Sequence, residues 1–140
     1  MKLRNRIISL AFVAIIALSM AISAFAVENV ATPYYNNTAT TQEVFQIDES
    51  GVATTSFVCR GYRGITTSIS VETKIQTQVN TSWVDVEGAS WTDESTLYYC
   101  SQNHSVQLSE RGTYKAVFTF TVAGNGGETD VIVREIQKTY

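Results

Sequence analysis

Strictly alternating side chains between residues 65 and 79 constrain the fold of this chain more than any other feature. Isoleucine, valine and threonine hold the odd positions, and mostly serine, glutamate, lysine and glutamine hold the even ones. A period of two predicts a β-strand that turns one face to a core and the other to water. Fifteen extended residues would span about 50 Å, so we expect a bulge, a bend or an early end within this run.

The chain after residue 26 divides into further segments of the same kind, and none of it shows a helical period. Predicted strands cover residues 42–47, 51–60, 65–79, 83–87, 96–108, 110–122 and 129–140. The side chains expected to point inward are Ala53, Thr55, Phe57 and Cys59 in the second strand and Tyr114, Ala116, Phe118, Phe120 and Val122 in the sixth. About seven strands separated by turn signals predict two antiparallel sheets packed as a sandwich. A jelly roll or another Greek-key barrel is the alternative.

The first 26 residues are typical of a secretory signal. Lys2, Arg4 and Arg6 precede an apolar stretch over residues 7–22, and Ala24-Phe25-Ala26 supplies the small residues of a cleavage site. We therefore expect a signal helix over 1–26, an N-terminal segment over 27–41, one β-domain over 42–140, and export from the cell. The chain would then meet a membrane only transiently, through the signal. An uncleaved anchor is the alternative, because the apolar stretch is about long enough to span a bilayer.

Removal of the signal makes the chain more acidic than the full sequence, whose formal net charge is −3. The remaining 114 residues keep seven of the ten basic side chains and all thirteen acidic ones, a formal net charge of −6. This sign disfavours nucleic acid or an anionic membrane as a partner. A domain of this size can bury roughly two-thirds of its unfolded surface around one core.

The segment Glu110-Arg111-Gly112-Thr113-Tyr114 matches a pattern found at the start of the sixth strand of immunoglobulin-like sandwiches. In that pattern the tyrosine ring enters the core and its hydroxyl bonds back to the preceding corner. Gly112 and Tyr114 are therefore predicted to form a structural tyrosine corner. Ala116 stands where many such domains carry a cysteine.

The two cysteines, Cys59 and Cys100, fall in the second and fifth predicted strands. Under a sandwich topology these strands are neighbours in one sheet, and a secreted chain with two cysteines usually oxidises them. We predict a Cys59–Cys100 disulfide, which would contribute roughly 4 kcal/mol in the chain-entropy account. Two free thiols are the alternative, because cross-strand geometry is demanding.

Motifs for chemistry are missing from the sequence. No zinc-ligand cluster, calcium loop, nucleophile elbow or phosphate loop occurs. Neighbouring carboxylates such as Asp85 and Glu87 usually solvate turns. The one histidine, His104, is four residues beyond Cys100, which on an extended strand is too far away to activate that thiol. We expect no enzyme activity, no metal and no cofactor.

Binding residues are more plausible on the loops, where rigid sandwiches carry recognition. Arg60, Tyr62 and Arg63 lie in a short connection that an immunoglobulin-like fold places at the same end as the hairpin 123–127. These arginines could equally well solvate a turn.

Four aromatic side chains pose a similar choice. Trp83, Trp91, Tyr98 and Tyr99 would form a platform for sugar rings or a partner's side chains if exposed, and core if buried. Core is the preferred expectation. Trp83 begins a strand, and Tyr98 and Tyr99 point to opposite faces, so at least one of the two is expected inside.

The segments "ATPYYNN", "SWVDVEGASW" and "RGTYKAVFTF" and the ending "KTY" resemble small secreted immunoglobulin-like proteins of Clostridia-type gut Firmicutes, a family without an assigned function. The resemblance implies a secreted immunoglobulin-like sandwich and carries over no catalytic residue. The expected function is non-enzymatic binding of an extracellular protein or glycan. A structural subunit of a surface assembly, in which segment 27–41 adds to a neighbour's sheet edge, is the alternative.

Overall fold

The computed structural model describes residues 34–140, which form an all-β structure. Its strands are β1 (Thr38–Ile47), β2 (Val52–Gly61), β3 (Thr66–Val79), β4 (Ser82–Ser95), β5 (Tyr99–Gln107), β6 (Thr113–Gly124) and β7 (Asp130–Thr139). The predicted signal helix, its cleavage site and residues 27–33 lie outside the described residues.

The seven strands form two antiparallel sheets. One sheet has the order β1-β2-β5, and the other has the order β4-β3-β6-β7. All seven predicted strands are present. β1 begins four residues before its predicted start at 42, so part of the predicted N-terminal segment belongs to the first sheet.

The largest difference from the sequence prediction is β4, which continues to Ser95 instead of ending at 87. Gly88 takes a φ of +73°, and the β3–β4 register shifts between Lys74 and Gln76. Between the pairs Lys74–Ser90 and Gln76–Asp85, β3 advances by two residues and β4 by five, so the bulge places three extra residues in β4 and bends it. The alternation in β4 changes phase at the bulge, which hides the second half of the strand from a search for period two.

The core lies between the sheets and follows the predicted alternation through most of β3 and all of β6. Ile69, Val71, Thr73 and Ile75 are buried in β3. A second register shift, between Thr66 and Ser68, changes the face at the start of β3. Thr66 is therefore buried, while Ile65 and Thr67 are exposed. The buried side chains of β6 are Tyr114, Ala116, Phe118, Phe120 and Val122, with Lys115 buried on the opposite face.

Polar contacts connect the sheets along both open sides of the sandwich. On one side, Arg134 of β7 lies 3.6 Å from the Glu43 carboxylate of β1. Burial raises the pKa of Glu43, and the Arg134 guanidinium offsets part of that rise. On the other side, His104 of β5 is hydrogen-bonded to Asp93 of β4 at 2.7 Å. Inward-facing charges on edge strands also discourage edge-to-edge aggregation.

Candidate binding site

Three connections meet at one end of the sandwich, beside the start of β1. The backbone amide of Gly61 donates to the carbonyl of Tyr98 at 2.8 Å, and that of Asn125 donates to Ile65 at 2.9 Å. The β2–β3 turn therefore contacts both the β4–β5 connection and the β6–β7 hairpin. We call the side chains displayed here, Arg60, Tyr62, Arg63, Tyr98 and Tyr99, the arginine–tyrosine end.

The buried residue Asn37 forms hydrogen bonds with two of these connections. Its side chain is fully buried; it donates to the carbonyl of Glu128 at 2.8 Å and accepts from the amide of Gly126 at 3.1 Å. Its main-chain carbonyl accepts from the amide of Tyr62 and from the hydroxyl of Thr66. The side chain and the main chain of this one residue thus connect the start of β1 to the β6–β7 hairpin and to the β2–β3 turn.

Asp130 completes this frame. Its carboxylate accepts from the amides of Asn36 and Asn37 at 2.9 and 2.8 Å, and from the hydroxyl of Thr38 at 2.8 Å. Burial on its own would raise the pKa of Asp130, but these hydrogen bonds to the charged form outweigh it and hold the pKa below its usual range. The carboxylate is therefore ionised and fully bonded at neutral pH.

Glycine allows the backbones to approach closely at this frame. A Cβ added at Gly124 would lie 2.6 Å from the Asn37 side-chain oxygen, and one added at Gly126 would collide with the carbonyl of Asn36. The segment Gly124-Asn125-Gly126 belongs to the hairpin that the sequence predicts at residues 123–127. In the structure its glycines also make room for the start of β1.

The displayed tyrosines are substantially exposed. Tyr62, Tyr98 and Tyr99 keep 40%, 41% and 42% of their surface accessible. Arg60 and Arg63 are exposed as well, and the Arg60 guanidinium lies 5.6 Å from the centre of the Tyr99 ring. This distance suits a cation–π contact, which gives Arg60 and Tyr99 a defined relative position.

The expectation that Tyr98 or Tyr99 lies inside is wrong. Tyr98 precedes the first residue of β5, and its main-chain carbonyl pairs with Gly61 at the rim of the sheet. Tyr99 stands opposite Arg60 on the outer face. Tyr99 therefore follows the alternation set by the buried Cys100, whereas Tyr98 has the inward parity but lies just before the strand, where that parity no longer buries it.

The two tryptophans have different surroundings, and neither belongs to the arginine–tyrosine end. Trp83 is half-buried on the outer face of the four-stranded sheet, beneath the Lys115 ammonium, which lies 4.7 Å from its ring. Lys115 also pairs with Glu135 at 3.1 Å. The preferred prediction that Trp83 is core is wrong, because position 83 faces outward in the β3–β4 register.

Trp91, by contrast, packs against the core, as the preferred prediction stated. Its indole stacks on the His104 imidazole with the ring centres 4.8 Å apart and the planes at 4°. This contact joins β4 of one sheet to β5 of the other. The two tryptophans therefore form no common platform.

The cysteines lie deep in the sandwich. Cys59 and Cys100 are opposite each other in the β2–β5 register, as expected for neighbouring strands of one sheet. Both are buried and both are free in the structure, so the bond between them stays a prediction. Burial, together with the proximity of Cys100, raises the pKa of Cys59 to about 12, which disfavours the reactive thiolate.

Tyr114 and Gly112 lie at the opposite end of the molecule. The Tyr114 ring is 4% exposed, and its hydroxyl donates to the carbonyl of Glu110 at 2.7 Å. Gly112 forms two main-chain hydrogen bonds with Tyr140, one in each direction. This end also holds the β1–β2 turn, where Tyr140 packs against Gly51.

The structure shows a further feature, a groove of about 500 Å³ next to the arginine–tyrosine end, which the sequence had not revealed. Its residues come from β3, β4, β6 and the connection after β4: Ser68, Ile69, Ser70, Glu94, Ser95, Thr96, Leu97, Thr121 and Ala123. The sequence signal for it was weak, because its residues, most of them hydroxyl-bearing, come from strands that are far apart in the chain.

Several acidic side chains accept hydrogen bonds from neighbouring residues. Asp85 accepts from Gln76, Asp93 from His104, and Asp48 from its own turn. Within residues 34–140, no three His, Cys, Asp or Glu side chains gather to hold a metal ion. Those residues also include no helix that could span a lipid bilayer.

Comparison with known proteins shows a similarity to solved structures only at low sequence identity. No family model matches the chain, and no curated protein matches it either. A crystal structure of a protein from Archaeoglobus fulgidus is similar at 14% identity and a TM-score of 0.33, over 74% of this chain and 97% of that one.

Proposed function

We propose that this chain is a secreted, non-enzymatic immunoglobulin-like domain that binds an extracellular protein or glycan through its arginine–tyrosine end. Export is supported by the basic, apolar and small-residue pattern of the first 26 residues. A binding role without catalysis is supported by carboxylates that have structural partners and by cysteines that are buried.

Strand order and one hydrogen bond support the immunoglobulin-like assignment. The first, second and fifth strands share one sheet, the third, sixth and seventh share the other, and Tyr114 bonds back to Glu110. Both features are typical of these sandwiches. The fourth strand departs from the constant-type arrangement, because it pairs with the third instead of joining the first sheet.

The observation that carries the binding role is the exposure of three tyrosines and two arginines on one rigid end. Tyrosine and arginine are enriched among the residues that contribute most to binding interfaces. Tyrosine offers a large contact area at a low cost in conformational entropy. Here hydrogen bonds fix the connections that display them: the Tyr62 amide donates to the Asn37 carbonyl, and the Ser95 hydroxyl donates to the Tyr99 carbonyl.

The test uses the processed chain, residues 27–140, on a glycan array and on immobilised extracellular protein from its own producing culture. We expect specific binding that falls at least tenfold in a Tyr62→Ala, Arg63→Ala double variant, since such residues often contribute 2 kcal/mol or more. The matched control changes exposed residues at the other end, Glu49→Ala and Arg111→Ala. Binding that survives the first double variant but not the control overturns the proposal.

We further infer that export leads to a Cys59–Cys100 disulfide. Directly opposed residues of an antiparallel pair have Cα atoms about 4.5–5.5 Å apart, within the range of about 4.4–6.8 Å that disulfides adopt. Alkylation of the unfolded, unreduced secreted chain should modify no cysteine, and prior reduction should expose two. Two modified cysteines without reduction would contradict the inference.

A structural role in a surface assembly is the second candidate, and the edge strand β7 favours it. Val131 and Val133 are 63% and 52% exposed on this strand, beside the outer face of the four-stranded sheet. Exposed β-branched residues on an edge suit pairing with another chain. A mass in sedimentation that rises with concentration, and that falls to one chain in a Val133→Lys variant, would favour assembly over ligand binding.

A further inference from the structure

The groove next to the arginine–tyrosine end has a floor of small hydroxyl-bearing side chains. Ser70 of β3 lies opposite Thr121 of β6 on one side and Glu94 of β4 on the other, and Ser68 is opposite Ala123. These residues share the outer face of the four-stranded sheet. Because none of these side chains is larger than glutamate, they leave a groove in the surface with a volume of about 500 Å³.

A hydrogen-bonded turn raises the wall of the groove. The Ser95 hydroxyl donates to the carbonyl of Tyr99 at 2.8 Å and accepts from the amide of Leu97 at 3.1 Å. This turn fixes the main chain of Leu97, whose side chain lines the groove with 66% of its surface exposed. The groove thus has an apolar side chain beside a polar floor.

The Glu94 carboxylate is the only charged group in the lining. It is exposed and forms no ion pair with any residue between 34 and 140. The other polar groups of the floor are hydroxyls, which both donate and accept hydrogen bonds. The site therefore offers acceptors, donors and one apolar surface close together.

We propose that this groove binds a neutral, hydroxyl-rich glycan, which names the ligand class within the proposed binding function and rests on it. Sugar hydroxyls can donate to Glu94 and exchange hydrogen bonds with Ser70 and Thr121. The apolar face of a sugar ring can pack against Leu97. The volume falls in the range of small-ligand sites, about 300–1,000 Å³.

The charge of the groove selects among ligand classes. An acidic glycan would bring its carboxylate or sulfate against Glu94, and like charges repel. A cationic ligand would find a single carboxylate on an open surface, where an isolated ion pair contributes about 0–1 kcal/mol. A neutral ligand avoids the repulsion and does not depend on a weak ion pair, because its hydroxyls use the carboxylate as a hydrogen-bond acceptor.

The test is affinity electrophoresis of the processed chain in gels that contain a soluble α-glucan, a β-glucan or a mannan, with polygalacturonate as the charged counterpart. We expect retardation by at least one neutral polymer and none by polygalacturonate. Glu94→Gln should weaken the retardation about tenfold, because a hydrogen bond to a charged group contributes about 1.5–3 kcal/mol. Thr121→Val, which exchanges a hydroxyl for a methyl group, should weaken it about threefold to tenfold.

Glu87→Gln is the matched control, because it removes the same charge from an exposed position of the same strand. It should bind as the parent does, and thermal unfolding of each variant checks that the fold is intact. The proposal is overturned if no neutral polymer retards the chain, or if Glu94→Gln and Thr121→Val bind like the parent.

The same gels separate this proposal from the one on which it rests. Loss of binding in the Tyr62→Ala, Arg63→Ala variant, with Glu94→Gln unaffected, overturns the groove as the glycan site and leaves the binding end standing. Loss in Glu94→Gln alone supports the groove and removes the role of the two loop residues. Retardation by polygalacturonate alone contradicts the neutral class.

Discussion

The two ends of the sandwich use the same residue types in opposite ways. At the end that holds the tyrosine corner, the Tyr114 ring is 4% exposed, and Arg111 lies over the Tyr140 ring at 4.9 Å. At the arginine–tyrosine end, Arg60 lies over Tyr99 at 5.6 Å, but Tyr99 keeps 42% of its surface accessible.

The difference shows where folding needs these side chains. Tyr114 and Tyr140 close turns with their hydroxyl or their main chain, so removing them should cost stability. At the other end the side chains that bond to the main chain are those of Asn37, Thr66 and Ser95, and the displayed tyrosines take part only through their main chain. The contrast predicts that variants at one end alter stability and variants at the other alter binding.

Tyr114→Ala should give the largest effect. Truncation of a buried aromatic side chain costs about 3–5 kcal/mol, and here it also removes the hydrogen bond to Glu110. Tyr62→Ala, an exposed loop change, should stay within about 0.5 kcal/mol of the parent. Urea unfolding of both variants measures the two values. Equal losses would remove the distinction between the ends.

A pair of glycines compares the ends at a single type of backbone site. Gly51 and Gly64 have φ values of +84° and +80°, which cost an L-residue about 1–2 kcal/mol. A Cβ at Gly51 would meet the Tyr140 ring, whereas one at Gly64 meets no atom within 4 Å. Gly51→Ala should therefore destabilise by about 1–3 kcal/mol more than Gly64→Ala. In a Tyr140→Ala background this excess should disappear, which double-mutant unfolding experiments can measure.

Asp130→Asn tests the frame beneath the displayed residues. The change weakens three hydrogen bonds to a buried charge, so we expect a loss of about 1.5–3 kcal/mol at pH 7. Because the folded-state pKa is lowered, the parent has this contribution above the unfolded pKa of about 3.9 and loses it as the pH falls through the folded value. The difference between variant and parent should therefore shrink below about pH 4.

Asp48→Asn is the control for that measurement at the opposite end. Hydrogen bonds from the Ser50 hydroxyl and the Val52 amide also lower the pKa of Asp48, but this carboxylate is exposed to solvent. Its replacement should change stability less than Asp130→Asn at every pH. Unfolding curves at pH 7 and pH 3 for all three proteins decide the matter, and a constant gap for Asp130→Asn would contradict the assignment.

The smallest effect is expected from the two arginines that cover tyrosines. An exposed cation–π contact contributes about 0.5–1 kcal/mol. Arg111→Ala should lower stability by about that amount without altering binding, and Arg60→Ala should weaken binding through the repositioned Tyr99. Thermal unfolding and the binding assay, run side by side, measure both. Identical behaviour of the two variants would show that the Arg60–Tyr99 contact has no separate role.

Sequence reasoning could predict the strands because alternation is local. The run from 65 to 79 predicted β3 within one residue, and the expected irregularity is present as two register shifts. Gly112 and Tyr114 were predictable because their pattern fits within five residues. The end of β4 was not, since Gly88 resets the alternation and only the paired strand reveals the bulge.

The candidate site was predictable only in part. Arg60, Tyr62 and Arg63 stood out as a loop cluster, and two glycine-rich connections suggested a common end. The groove around Glu94 could not be foreseen, because its floor joins a few residues from each of three strands whose register the sequence does not state. Trp83 was misjudged for a related reason: an aromatic residue at a strand start is inside or outside according to pairing, and Lys115 supplies its cover.

Asn37 and Asp130 have a consequence for anyone who wishes to redesign this molecule. The side chains whose hydrogen bonds shape the three connections belong to Asn37, Thr66, Ser95 and Asp130, and none of these is among the five side chains displayed to solvent. Randomising positions 60, 62, 63, 98 and 99 should therefore yield folded proteins with new specificities. The chain would serve as a small scaffold whose displayed side chains can be substituted while the hydrogen bonds that support the connections are kept.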